Sequence, residues 1–352
     1  MMPETLDGAT LEKLISAAVA APSFHNSQPW RFRLEPDTAT VLVRAAGERG
    51  LRETDPLGRA LHLSVGAAVF NLRVAIAHFG WEPVVRLLPV PAQPDLLASV
   101  RLAGPPRSGG DHQPDLYQAL WRRHSSRSPF SAHRPPGPVL AELEEAAHTE
   151  GATLCLPDTE ETQRLLGLTA EAEQRGVIDP ARRAESRGWI REGAPDGLAP
   201  AALGPRDASG RLPMRDFSAL RPENQLPTTV FEPQPLIAVL STAHDRRSDW
   251  LRGTGAGARA VDRHRAPGAG IVAAPGARVA RPALGAAQHG QRPGIRPDAH
   301  PARVRPPGPG KSPDSCKRGP GQGVAPREGT VAIGSRERAI PGGCRRRPGP
   351  GR

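Results

Sequence analysis

The sequence predicts a fold of the α+β class for residues 1 to about 252. Three observations support this prediction: a long apolar helical stretch over residues 60–79, short apolar runs with a hairpin signal, and the abrupt end of large apolar side chains after Trp250. Every Phe, Trp and Tyr of the chain lies at or before Trp250. We therefore expect this body to contain the hydrophobic core, because burial of such side chains offsets the entropy lost on ordering a chain.

The first half of the body, residues 1–119, is expected to hold two helices and four strands. Thr10 is the expected N-cap of the first helix, and Pro22 is expected to stop it. The second helix is apolar on most of its circumference, which predicts a central position, and Gly80 is expected to end it. The predicted elements are a helix over 11–21, paired strands over 29–34 and 40–43, the helix over 60–79, and strands near 84–90 and 96–102.

The second half, residues 120–252, is expected to alternate helices with two strands. Pro235 to Ser241 is an almost continuous apolar run, which predicts a buried strand. Residues 193–227 are long, loop-like and rich in Pro and Gly, so we expect them to be functional or mobile. The other predicted elements are helices over 139–148, 160–175 and 180–192, and a strand over 151–156.

The remaining residues, 253–352, form a tail made mostly of Gly, Pro, Arg and Ala. We expect the tail to be disordered, since it has almost no large apolar side chains to bury. It carries 19 of the 47 basic and 5 of the 36 acidic residues, so the net charge of +11 belongs to the tail and does not indicate that the body binds nucleic acid. Two explanations stay open: a shifted reading frame near Arg252 in a GC-rich gene, or a genuine basic tail that binds polyanions.

The cysteines and the N-terminus favour a soluble cytoplasmic protein. Cys155, Cys316 and Cys344 form no disulfide framework and no metal-ligand spacing, which is typical of a reducing compartment. The N-terminus does not have the pattern of a secretion signal, and no stretch approaches the length of a membrane span. We expect no membrane partner, no specific nucleic-acid partner and no bound metal.

Two polar segments are candidates for ligand binding. Hydroxyl and amide side chains cluster between a helix end and a strand over residues 22–30, and they could hold a polar ring system; the alternative is a loop that satisfies its own backbone. Arg123 and Arg127 flank a hydroxyl and suit a terminal phosphate; the alternative is a solvated basic turn. For Asp55, His62 and His78 we expect structural roles.

These two segments resemble motifs of the nitroreductase family. The first segment reads Ala21-Pro22-Ser23-Phe24-His25-Asn26-Ser27-Gln28-Pro29-Trp30, and the second reads Arg123-His124-Ser125-Ser126-Arg127. The resemblance implies bound FMN, with Trp30 assigned to packing and Asn224 as a weaker candidate contact. Residues implied to contact the isoalloxazine and ribityl groups are Pro22, Ser23, Phe24 (through its backbone) and Asn26; those implied to contact the phosphate and ribityl groups are Arg123, His124, Ser125 and Arg127.

The two motifs occur in the reverse of the family's usual order. Family members place FMN at a dimer interface, so this order resembles a fused pseudo-dimer of the Acg-type single-chain branch, monomeric and with one FMN site. Residues 193–227 are then the candidate lid over the flavin. The implied activity is hydride transfer from NAD(P)H through FMN to a nitro or quinone-like acceptor, with no side chain required as a general base. The alternatives are a flavin-sequestering stress protein without turnover and a non-functional frameshifted product.

Overall fold

Helices and strands are interspersed along the described part of the chain. The computed structural model describes residues 6–104, 114–123, 125–130, 134–210, 227–253 and 255, all of which belong to one compact unit. Its elements are α1 (Gly8–Val19), β1 (Trp30–Glu35), β2 (Thr40–Ala45), α2 (Arg59–His78), β3 (Glu82–Leu87), β4 (Leu96–Ala103), α3 (Pro114–Arg122), α4 (Gly137–Thr149), β5 (Thr153–Cys155), α5 (Thr159–Ile178), α6 (Pro180–Gly188), β6 (Arg206–Asp207), β7 (Thr228–Thr229) and β8 (Val239–Ser241). Residues 247–253 are also helical.

Helix α1 begins before its predicted N-terminus. Its N-cap is Asp7, whose Oδ1 accepts a hydrogen bond from the backbone N–H of Thr10 at 2.7 Å. Thr10 is buried within the helix, so its prediction as the cap is wrong. An aspartate three residues ahead of a free N–H is a preferred N-cap, and it accounts for the earlier start. The helix ends at Val19, two residues before the predicted end and three before Pro22.

The first half forms a four-stranded antiparallel sheet. The strand order is β1-β2-β4-β3, and the predicted pairing of β1 with β2 is confirmed by a register that runs from Trp30 opposite Ala45 to Glu35 opposite Thr40. The inner strands supply buried side chains on the face toward the helices, among them Val41, Val43 and Val100. The outer strand β1 alternates between buried or half-buried apolar side chains and exposed charged ones, as expected of a sheet with one covered face.

Helix α2 lies at the centre of the main hydrophobic core, as predicted. All eight residues from Val65 to Leu72 are buried, as are Ala75 and Ile76, and the helix packs against α1 and the sheet. Gly80 has φ +93 and follows the last turn, which confirms it as the helix stop. The helix has the length and composition of a membrane span, contrary to the expectation that no stretch approaches one, but most of it is buried as a core helix.

A helical segment from the end of the body crosses α2 at Gly66. A Cβ atom at Gly66 would lie 2.2 Å from the carbonyl oxygen of Leu251, so only glycine allows this close approach. Leu251 is buried in the same core as α2. Residues 247–253 therefore belong to the folded body, although they lie far from α2 in sequence.

The second half contains smaller apolar clusters. Helix α3, which the sequence analysis did not predict, spans the expected boundary between the halves, and its Leu120 joins the core of the first half. Strand β8 pairs with β5 in a two-stranded sheet. The prediction of a buried strand over 235–241 is wrong, since the strand covers Val239–Ser241 and Leu240 is exposed. An apolar run identifies a strand but cannot show whether another layer covers it.

Candidate functional site

The loop from Ser23 to Gln28 (the polar loop) has an unusual backbone. His25, Asn26 and Gln28 have φ near +50, the left-handed region in which residues other than glycine are uncommon. Internal hydrogen bonds hold this conformation: the Ser23 hydroxyl accepts from the backbone N–H of Gln28 at 2.9 Å. Non-glycine residues persist in this region only where the surroundings fix them, and such positions cluster at ligand sites.

A side chain of the central helix α2 holds the polar loop through a hydrogen bond. The Ser64 hydroxyl on α2 accepts a hydrogen bond from the backbone N–H of Phe24 at 3.3 Å and donates to the Ala60 carbonyl at 2.7 Å. Trp30, at the start of β1, is 7 % exposed within the main core, which confirms its assignment to packing. Pro22, Ser23, Phe24 and Asn26 themselves are half-buried.

The cationic segment, residues 123–127, lies beside the polar loop. Arg123 follows α3, and its Nη2 donates to the carbonyl of Ala20, just before the polar loop, at 3.2 Å. Arg127 is half-buried, and burial lowers the pKa of its guanidinium. Ser125 is exposed, and His124 lies outside the described residues. The structure thus brings the two predicted segments together, although about a hundred residues of sequence separate them.

His25 of the polar loop lies close enough to Arg127 of the cationic segment for the arginine's charge to act on its imidazole. Burial lowers the pKa of its imidazole to about 4; Glu185 on α6 opposes this shift, and the positive charge of Arg127 adds to it. Glu185 is itself held by the backbone N–H groups of Glu53 and Thr54, at 3.1 and 2.8 Å. His25 is therefore neutral near pH 7 and places no second positive charge beside Arg127.

Residues 195–204 (the strap) contact both segments. The Gln28 side chain donates to the Pro195 carbonyl at 2.7 Å, and the Gly197 N–H donates to the Asn26 carbonyl at 3.1 Å. At the other end, Arg127 Nη1 donates to the Ala202 carbonyl at 3.1 Å. The strap is the described part of the predicted lid that reaches the site; residues 211–226, with Asn224, lie outside the described residues.

Several residues at this site were not singled out by the sequence analysis. Ser64, Gln28 and Glu185 hold the polar loop or its neighbours, and Arg49 donates to the Ser27 carbonyl at 3.2 Å. Gln28 could have been found, since it belongs to the quoted motif. The others have no local signal, because each acts through a contact distant in sequence.

The other ionisable residues near α2 have structural roles, as expected. Asp55 accepts from the backbone N–H of Leu61 at 3.0 Å and so caps the start of α2. The His62 Nδ1 contacts the Gly58 carbonyl, and the His62 ring packs edge-on against Trp250 with 5.6 Å between centroids. Within the described ranges, no three His, Cys, Asp or Glu side chains group in a way that could hold a metal ion.

The fold and the paired segments define an α+β protein with one shared polar site. No family model matches the chain. "Putative NAD(P)H nitroreductase Rv3131" of Mycobacterium tuberculosis is 31 % identical over 250 residues, which cover 70 % of this chain and 70 % of that protein. "Putative NAD(P)H nitroreductase acg" of the same organism is 29 % identical over 260 residues, 71 % of this chain and 76 % of that protein. The chain belongs to the nitroreductase family and has a nitroreductase-like fold.

Proposed function

We propose that this chain is an FMN-binding oxidoreductase of the nitroreductase type. It would transfer a hydride from NAD(P)H through FMN to a nitro or quinone-like acceptor. The observation that carries the proposal is the meeting of the polar loop and the cationic segment, seen in the Arg123 contact with Ala20. Two relatives in the family are named "Putative NAD(P)H nitroreductase", which supports the same reaction class here.

The residues present fit a phosphorylated, ring-containing ligand. Guanidinium groups with a hydroxyl nearby suit a phosphate, and the half-buried position of Arg127 strengthens its attraction for an anion because the local dielectric is low. Three residues of the polar loop have φ near +50, and residues other than glycine in this conformation cluster at ligand sites. In the proposed roles, Arg123, His124, Ser125 and Arg127 hold the phosphate and ribityl groups, and Pro22, Ser23, Asn26 and the Phe24 backbone hold the ring.

Within this proposal, the flavin supplies the chemistry and the chain positions it. When bound, FMN would accept the hydride at N5 and deliver electrons to the acceptor. The side chains would bind and orient the cofactor, and the strap would exclude water from its ring. His25 would stay neutral near pH 7 because burial lowers its pKa to about 4. None of these steps requires a proton transfer by a side chain.

We also propose that one chain supplies both sides of the site, as a monomeric fused pseudo-dimer. Arg123 contacts Ala20, just before the polar loop, within the same chain, so this contact needs no second copy. The proposed organisation is a first half over residues 1–119, a second half over 120–252, and the tail from 253. Gel filtration of the purified protein at micromolar concentration tests this; elution as a dimer would contradict it.

The phosphate contact is tested by comparing FMN with riboflavin, which lacks the phosphate. Arg127→Met should weaken FMN binding by roughly tenfold to a hundredfold, the loss of one charge-assisted hydrogen bond, and leave riboflavin binding unchanged. Arg122→Met is the matched control, since Arg122 is exposed at the end of α3 and lies outside the motif. Equal losses for both ligands, or an equal effect of the control, would contradict the assignment.

A second candidate function is flavin binding without turnover, as in a sequestering stress protein. The observation that favours it is the strap, which contacts both site segments and includes the fully buried Leu203. A site covered in this way could hold a cofactor while excluding acceptors. Steady-state NADPH oxidation with a quinone acceptor distinguishes the two: turnover supports the oxidoreductase, and bound FMN without turnover supports sequestration.

We further propose that the tail results from a shifted reading frame near Arg252. The exposed two-stranded sheet of β5 and β8 supports this, because a complete second half would cover such a sheet. In that case this polypeptide is an impaired or non-functional product, and translation of the gene in the next frame should give an apolar helical pattern. If that frame has no such pattern, the tail is a genuine basic extension.

A further inference from the structure

A buried carboxylate lies between two arginines next to the polar loop. Asp196 is 9 % exposed. Its Oδ1 accepts from Arg191 Nη1 at 2.9 Å, and its Oδ2 lies 3.4 Å from Arg49 Nη1. Arg49 also donates to the Ser27 carbonyl, so this arginine joins the carboxylate to the polar loop. A carboxylate removed from water is stable only when it is paired, and here both of its oxygens are.

The neighbours of Asp196 contact the same loop. Pro195 accepts from the Gln28 side chain, and Gly197 donates to the Asn26 carbonyl. The turn that presents them requires glycine: Gly197 has φ +81, and a Cβ there would lie 2.6 Å from the Trp189 carbonyl oxygen. Pro195 and Gly197 therefore bind the polar loop directly, and Asp196 between them reaches it through Arg49.

We propose that Asp196 is a positioning residue that fixes residues 195–197 on the polar loop and thereby controls entry to the site. The carboxylate binds Arg49 from the first half and Arg191, which lies four residues before the strap. It therefore joins the first half to the segment that leads into the strap, and both border the site. Its consequence for flavin exchange rests on the proposed function. The contact itself is a property of the protein alone and is tested separately.

Backbone amide exchange of the full-length protein tests the contact. Asp196→Asn keeps the side-chain volume and removes the charge. Glu171→Gln is the matched control, because it removes one charge from the exposed ion pair with Arg175 on α5. We expect exchange over residues 193–199 to become about tenfold faster or more in Asp196→Asn, with α2 unchanged and no effect of the control. Unchanged exchange over 193–199 would overturn the proposal.

A second variant keeps the test decisive if Asp196→Asn loosens the whole fold. Arg49 is partly exposed, and Arg49→Met removes one cation from Asp196 while leaving Arg191 in place. Faster exchange confined to residues 193–199 and the polar loop supports the proposal. If amide exchange over residues 193–199 and the polar loop is as slow as in the unmodified protein, the proposal is overturned.

The consequence for the ligand is measured as the rate of FMN dissociation after rapid dilution. Asp196→Asn should release FMN about tenfold faster, and Glu171→Gln should not differ from the unmodified protein. A release rate unchanged by Asp196→Asn overturns the control of entry. If the unmodified protein binds no FMN, the full-length chain lacks the proposed function, through either the tail or the site itself, whereas amide exchange still decides the role of Asp196 in holding the strap.

Discussion

The crossing of residues 247–253 over α2 makes a sharp prediction about Gly66. In a helix interior, Gly→Ala alone stabilises by about 1 kcal/mol, because alanine loses less conformational entropy. At Gly66, however, the new Cβ would lie 2.2 Å from the oxygen, 2.8 Å from the carbon and 3.0 Å from the Cα of Leu251. These are backbone atoms that cannot rotate away, so one helix must shift.

Overpacking of a core costs about 1–3 kcal/mol, and the backbone clash places Gly66→Ala at the upper end of that range. After subtraction of the propensity gain, the free energy of unfolding should fall by about 2 kcal/mol. Gly167→Ala is the matched control: Gly167 is exposed in α5, and a Cβ there meets nothing within 4 Å. The control should gain up to about 1 kcal/mol.

Urea denaturation of the full-length protein, followed by tryptophan fluorescence and circular dichroism, measures both variants. The two should differ by about 3 kcal/mol, with Gly66→Ala the less stable. Equal stability of the two variants would refute the close crossing of Leu251 on α2. It would also remove the argument that the folded body extends to about residue 252.

Three further predictions concern pH and buried polar contacts. Burial lowers the folded-state pKa of His25 to about 4, below its unfolded value. The stability that depends on neutral His25 should therefore be fully present above about pH 6.5 and fall by up to about 3 kcal/mol as the pH drops to 4. Urea titrations of His25→Asn should show a smaller fall over the same pH range. Asn71→Ala should destabilise by about 1–3 kcal/mol in thermal unfolding, because the buried amide donates to the Ala17 carbonyl at 3.0 Å. Ser64→Ala should cost about 1 kcal/mol and speed amide exchange at Phe24, and equal exchange would contradict the anchoring role of α2.

Local patterns in the sequence predicted the first half of the fold well. The central position of α2, the β1–β2 pairing and the stop at Gly80 each depend on periodicity or on a single backbone preference, and the structure confirms them. The N-cap is Asp7 and not the predicted Thr10; both residue types favour that position, and only the contact geometry decides between them.

The remaining features depend on contacts between distant parts of the chain. Residues 235–241 form only a short exposed strand, since an apolar run does not show which layers will cover it. The two motif segments were identified from the sequence, but their proximity depends on the folded chain. The contacts of Asp196 with Arg49 and of Gln28 with Pro195 link residues more than a hundred positions apart, and no local pattern predicts them.

The visible absorption spectrum of the purified full-length protein, with the released cofactor identified by mass, tests the central claim most directly. We predict a flavin spectrum that stays with the protein on gel filtration, with or without prior addition of FMN, and that Arg127→Met weakens while Arg122→Met does not. A colourless, soluble protein that binds no added FMN would have two explanations: a faulty tail or a wrong assignment of the site. Expressing the protein with the next reading frame after Arg252 separates them. Restored FMN binding in that frame would assign the fault to the tail; a protein that is still colourless would contradict the proposed FMN site.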